Sequence, residues 1–145
     1  MNIPKVNDLL DSLKISQETK SFETVVDLSG FWDRQLLLGD IEPAVGEAIE
    51  SLIRFWNRVD DENNVPIEKR APIKIYIDSN GGDLDATFTM IDAISLSKTP
   101  VWTINIGCAY SGGFFTFIAG HKRFTYPHGT FLYHEGYTGT AADRM

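Results

Sequence analysis

A single cysteine, Cys108, stands among the 145 residues, so the chain can close no disulfide on itself and can build no cysteine-based metal centre. Its apolar neighbours lead us to expect a buried thiol. Basic residues are the scarcer charge: 13 Lys and Arg face 20 Asp and Glu, a net charge of -7. That balance argues against a nucleic-acid backbone as the main partner, because phosphate binding needs clustered Lys and Arg. The acidity favours solubility and names no substrate. Long apolar runs are missing too. The longest, Gly112 to Gly120, is interrupted by glycine and threonine and falls short of the roughly 20 residues that span a bilayer, so no membrane insertion is expected. Met1 is followed by Asn, Ile, Pro and Lys and not by the basic and apolar regions of a secretory leader, which makes a cytoplasmic location the expectation. No internal repeat and no low-complexity tract is present, and no residue spacing implies a metal or an organic cofactor.

What is there reads as one α/β domain. Residues 1–30 suggest a short helix around Val6 to Leu13 and then the apolar stretch "TVVDL". A strand is expected through Leu36 to Leu38, followed by a Gly-Asp turn and a helix with Pro43 in its first turn. Val45, Ile49, Leu52, Ile53 and Trp56 fall at helical spacing and form one apolar stripe. "DDENNVPIEKRAP", Asp60 to Pro72, is proline-bounded and predicts an exposed loop. The β-branched run Ile73 to Ile77 predicts a strand, and Leu84, Phe88, Ile91 and Ile94 the apolar face of a second helix. Val101 to Ile106 predicts another strand. "RFTYPHGTFLYHEG" then suggests two short strands about a Pro-His-Gly hairpin turn. Strand alternating with helix implies a mostly parallel sheet flanked by helices, with right-handed crossovers. Trp32, Phe55 and Trp56 either fill the core or stay exposed for an interface.

Three features fall at the carboxyl ends of the expected strands: Gly81-Gly82, Ser111-Gly112 and His134. Ligands of parallel α/β sheets bind at those ends. A serine hydroxyl near neutral pH needs a base such as imidazole to take its proton, and His134 is better placed for this than His121 or His128, which fall in turns. Paired glycines let backbone N–H groups approach a developing oxyanion without a Cβ in the way. Each part also has a plain structural explanation. "SNGG" is a common turn into a helix, Ser111 suits a helix N-cap, and His134 could simply end a strand.

The combination is more specific than its parts. "YIDSNGG", "GCAYSGG" and "LYHEG" resemble, in order, the strand-and-turn, the "G-x-A-x-S-x-G" strand end and the histidine strand end of the Clp-type ATP-dependent serine peptidases, a family that shares the ClpP/crotonase fold of repeated ββα units. "RQLLLGDIEPAVGEAIESLIRFW" is similar to the family's first strand and helix. The resemblance implies an α/β core over 31–136, after an N-terminal segment 1–30 and before a handle region begun in 137–145. It implies Ser111 as nucleophile, His134 as general base, and the N–H groups of Gly82 and Gly112 as oxyanion hole. Gly81, Asp83 and Leu84 would hold substrate as an added strand. It further implies unfolded polypeptide as substrate, an AAA+ unfoldase as partner, and a homo-oligomeric, heptameric ring.

The departures define what else to expect. Tyr110 stands before the serine where the family has a small residue, and Asn80 replaces the proline of the glycine turn. Family members continue past the histidine through a handle helix to the acid of the triad. Glu135 adjoins the base and is expected on the other strand face, and Asp143 lies in the final polar segment, so neither supplies that acid and a piece of a longer protein is expected. Two other readings stay open: a catalytically inactive subunit with a structural or adaptor role, and a crotonase-type enzyme acting on an acyl-coenzyme A ester.

Overall fold

The structure, a computed structural model, describes residues 28–135. The expected helix at Val6 to Leu13, most of the "TVVDL" stretch, and residues 136–145 with Asp143 lie outside them. In chain order the elements are α1 (Leu28–Phe31), β1 (Gln35–Leu38), α2 (Pro43–Glu62), a 3-10 turn (Ile67–Lys69), β2 (Ile73–Ser79), α3 (Leu84–Leu96), β3 (Val101–Tyr110), α4 (Gly112–Ala119), β4 (Lys122–Thr125) and β5 (Thr130–Leu132). The strands form one sheet in the order β1-β2-β3-β4, with β5 also on β3, and every pairing is parallel. The expected α/β class, a parallel sheet flanked by helices, is what the chain adopts.

Alternation along the strands puts Leu36, Leu38, Ile73, Ile75, Ile77 and Val101 on one buried face. Against it lie Ile49, Leu52 and Ile53 of α2 and Met90 and Ile94 of α3. Each such side chain contributes roughly 1.5–3 kcal/mol by leaving water. The stripe expected on α2 is buried at all five positions, and Phe55 and Trp56 join the core while Trp32 stays half-exposed. Gly46 lets α2 approach α3 closely: a Cβ there would lie 2.7 Å from that of Ala86.

That contact changes the face α3 buries. Ala86, Thr87, Met90 and Ile94 point inward, whereas Leu84 and Phe88 are 42% and 54% exposed. The expected stripe therefore holds only at Ile94, because small residues are needed where two helix backbones nearly touch. The stretch Asp60 to Pro72 is exposed over most of its length, as expected, and differs only in where the helix ends and at two buried charges. α2 runs on to Glu62, and Asp60 and Arg70 are 2% and 9% exposed. Arg34 grips Asp60 with two hydrogen bonds, at 2.8 and 2.7 Å, while the Thr99 hydroxyl donates to the same carboxylate at 2.7 Å. Buried charges survive only when paired in this way.

The third difference concerns β4 and β5. They are not a hairpin. Both run parallel to β3 along the same edge, β4 beside Trp102–Asn105 and β5 beside Cys108–Tyr110. Tyr126 to Gly129 is a turn between two in-line segments, closed by Gly129 N–H donating to Tyr126 O at 2.9 Å.

Candidate active site

β2 ends at Ser79, and the Asn80-Gly81-Gly82 turn follows. Gly81 has φ +95, and a Cβ there would fall 2.8 Å from the Ser111 Cβ and 3.0 Å from the Gly112 nitrogen. Only a glycine lets this turn rest directly on the next one. The turn is fixed from behind: Ile41 N–H donates to Gly81 O at 2.9 Å, Asp83 N–H donates to Ile41 O at 2.7 Å, and Ser79 Oγ accepts from Gly81 N–H at 3.0 Å. Asp40 Oδ1 accepts from both nitrogens of Asn80, at 3.2 and 3.3 Å; a proline at position 80 would have neither donor. In this pairing the Gly82 N–H points away from Ile41, and no acceptor among the described residues takes it.

β3 ends at Tyr110 and α4 begins at Gly112, so Ser111 occupies the bend between them. Its backbone is at φ 52, ψ -118, a region sparsely populated by residues with a Cβ. The serine stands in the N-cap position, yet its side chain makes no capping bond. Among the described residues the hydroxyl has no hydrogen-bond partner. Ser111 N–H donates to Leu132 O at 2.9 Å, and Ser111 O accepts from Phe115 N–H at 3.1 Å. The Gly112 N–H, in the first turn of α4, has no intrahelical partner, and the positive end of the helix adds to its pull on an anion.

His134 lies two residues beyond Leu132, the residue whose carbonyl takes the Ser111 N–H. Its Nδ1 is 2.8 Å from Glu135 O. With Nδ1–H donating to that carbonyl, Nε2 keeps its lone pair, the tautomer a general base requires. No hydrogen bond joins Ser111 Oγ to the imidazole in this structure, so the two are set on adjoining segments but not in direct contact. His121 is excluded as base: its Nδ1 accepts from Val101 N–H at 2.9 Å, at the far end of β3, roughly 30 Å from Ser111 at strand rise. His128 sits in the turn before β5. Of the other expected residues, Asp83 caps α3, its Oδ1 accepting from Ala86 N–H at 2.8 Å, and Leu84 opens that helix with an exposed side chain.

The thiol of Cys108 is half-buried, not buried as expected. Burial raises its pKa above the ordinary value, and the hydrogen bond and charge of Asp78, whose Oδ1 lies 3.4 Å away, raise it further. Sequence reasoning missed Asn105, a buried amide whose Nδ2 donates to Thr130 O at 3.0 Å and so holds β5. An amide side chain at an inward position of a mostly apolar strand was the signal that could have found it.

An all-parallel sheet packed against helices, with a serine bend and a glycine turn in contact beyond the strand ends, makes this an α/β fold with its candidate site at the carboxyl edge of the sheet. The family model described as Clp protease matches residues 65–144, and the chain belongs to the Clp protease family. The proteolytic subunit 2 of the ATP-dependent Clp protease from Treponema pallidum (strain Nichols) is 40% identical over 77 residues, which cover 50% of this chain and 39% of that protein. The subunit of the same description from Borreliella burgdorferi is 35% identical over 82 residues, 53% of this chain and 41% of the relative. The match thus spans about two fifths of the length of these curated relatives. Among solved structures, a ClpP1 mutant from Listeria monocytogenes superposes with a TM-score of 0.61 at 23% identity, over 72% of this chain and 58% of that one, a likeness of fold. No helix among the described residues is long and apolar enough to cross a membrane.

Proposed function

We propose that the chain carries the peptidase core of a Clp-type serine endopeptidase, acting on unfolded polypeptide. The observation that carries this reading is the bend at Ser111, where a serine with an unengaged hydroxyl is held in a strained backbone conformation against the Gly81-Gly82 turn. The matched family model supports it.

In this mechanism a peptide lies extended along Gly81 to Leu84, where main-chain hydrogen bonds bind it with little demand on its side chains. Ser111 Oγ bonds to the scissile carbonyl carbon while its proton passes to His134 Nε2. The oxygen that becomes negative takes hydrogen bonds from the Gly82 and Gly112 N–H groups. Donors of this kind are each worth about 3 kcal/mol in the transition state. His134 then protonates the departing amine, and a water molecule activated by the same imidazole hydrolyses the acyl-Ser111 ester. The AAA+ unfoldase that delivers substrate, the homo-oligomeric ring and the cytoplasmic location belong to the same proposal.

A second reading, a catalytically silent subunit, is favoured by one observation: Ser111 and His134 share no hydrogen bond, and His134 turns Nδ1 to its own neighbour's carbonyl. Catalytic hydrogen bonds in unliganded sites are often long and tighten only on substrate, so the peptidase reading stands first. Treating the 145-residue chain with a fluorophosphonate separates the two. Attack by Ser111 Oγ on phosphorus, with loss of fluoride, adds one phosphonyl group in the intact mass, and Ser111→Ala adds none. A chain that stays unlabelled alone, on mixing with an active relative and when extended to its natural C-terminus is a silent subunit, whereas label gained only on extension shows a piece lacking the triad acid.

A further inference from the structure

We propose that Tyr110 is a positioning residue that locks β5, and with it His134, against the Ser111 bend; the proposal rests on the peptidase reading above. β5 is a strand of three residues, all exposed, and among the described residues it pairs only with β3, through Cys108↔Thr130, Ala109↔Phe131 and Tyr110↔Leu132. Such short edges open locally long before the core does. His134 follows two residues later, so whatever holds β5 sets the position of the base. One face of β5 is held by rings: Phe131 packs on Phe117 at 4.8 Å between centroids, and Tyr133 on Phe115 at 5.8 Å.

On the other face the side-chain contacts gather on Thr130, whose backbone oxygen also accepts from Asn105 Nδ2 at 3.0 Å. The Tyr110 hydroxyl lies 2.8 Å from Thr130 Oγ1, and the Thr130 hydroxyl is directed at Gly107 O, 3.4 Å away. A hydroxyl has one proton to give, so with Thr130 donating to Gly107 the Tyr110 O–H is the donor to Thr130. Tyr110 is paired with Leu132, and Thr130 is two rows further back, roughly 6–7 Å along the strand. A small side chain at position 110 could not reach it; a tyrosine with its hydroxyl at the tip can. The same residue is bonded in sequence to Ser111, whose N–H holds Leu132 O. Nucleophile and base segments are therefore tied at two adjacent points, one by backbone and one by the tyrosine.

The test follows fluorophosphonate labelling of the full chain together with amide hydrogen exchange. Tyr110→Phe keeps the ring and removes only the hydroxyl. We expect the saturating first-order labelling rate to fall about five- to tenfold, the effect of one hydrogen bond, with the half-saturating probe concentration unchanged. Thr130→Val should do the same, Thr130→Ser should restore the rate, and the double variant Tyr110→Phe with Thr130→Val should be no slower than either single one. The Ser111 amide should exchange about fivefold faster in Tyr110→Phe, with the thermal midpoint little changed, because an exposed hydrogen bond adds little to global stability. Labelling and exchange equal to those of the unaltered chain would overturn the proposal. If neither the unaltered chain nor one extended to its natural C-terminus takes label, the peptidase reading fails by itself, and the Ser111 amide still decides the tether: faster exchange in Tyr110→Phe upholds it and equal exchange removes it.

Discussion

Ser111 combines a free hydroxyl with a backbone at φ 52, ψ -118, and the two properties can be separated by substitution. Holding a residue with a Cβ in so sparse a region costs on the order of 1–3 kcal/mol. Removing the hydroxyl alone leaves that strain, whereas glycine relieves it. Glycine is normally the less stable choice by about 0.5–1 kcal/mol relative to alanine. Here the order should invert: Ser111→Gly is expected to be more stable than Ser111→Ala by about 1 kcal/mol in urea unfolding, with neither taking a fluorophosphonate label. Equal stabilities, or glycine the weaker, would show that the bend stores no strain. Ser111 stood out as a candidate in "GCAYSGG", but its elbow was not legible, because φ and ψ at a strand-to-helix bend depend on how Gly81 and Leu132 hold it from two other segments.

Among the elements, the strands, α2 and the presence of α3 were legible because their apolar residues mark a period, while the buried face of α3, the direction of β5 and the burial of Asp60 and Arg70 were not. On α3 two candidate stripes overlap, and the one buried was chosen by the close approach at Gly46. A Pro-His-Gly turn between two strand-like runs suggests a hairpin in any local reading; only the long β3, with room for β4 and β5 end to end, makes both parallel. The charged residues at Asp60 and Arg70 read as solvent-exposed because each partner is distant in sequence. Arg34 and Thr99 meet Asp60 across 26 and 39 positions. That carboxylate joins the end of α2 to β1. Burial by itself would raise its pKa, but the hydrogen bonds from Arg34 and Thr99 and the charges of Arg34 and Arg70 outweigh burial and hold it below the ordinary value. A folded-state pKa below the unfolded one contributes stability that is present above the unfolded pKa, about 3.9, and is lost as pH falls through the folded value. Asp60→Asn should therefore cost about 3 kcal/mol at pH 7 by leaving Arg34 poorly paired. The gap between the variant and the original should narrow steadily below about pH 4. Urea midpoints measured at pH 7 and pH 3 check both parts, and a gap independent of pH would rule out the carboxylate charge as its source.

For the molecule as a whole, the arrangement of layers bears on assembly. Sheets in which every strand is parallel are normally covered on both faces. α2 and α3 cover one face here. The other presents Leu37, Tyr76, Trp102 and Phe124, with Leu37 and Phe124 46% and 45% exposed among the described residues. Trp102 and Phe124 lie 5.4 Å apart with their rings tilted by 51°, and Lys122 lies over the Trp102 ring at 5.2 Å. The exposed rings of this face are the type of residue that interface centres favour. The proposed association of copies accounts for it by supplying the second layer. Phe124 makes no part of the buried core, which makes it a clean place to break the association. Phe124→Asp should retain the helical circular dichroism and thermal midpoint of the unaltered chain to within a few degrees, while native mass spectrometry shifts from multimer to monomer. An unchanged multimer in a folded Phe124→Asp chain would mean that the copies meet elsewhere. Loss of the fold would show instead that the aromatic pair on this face supports the sheet itself.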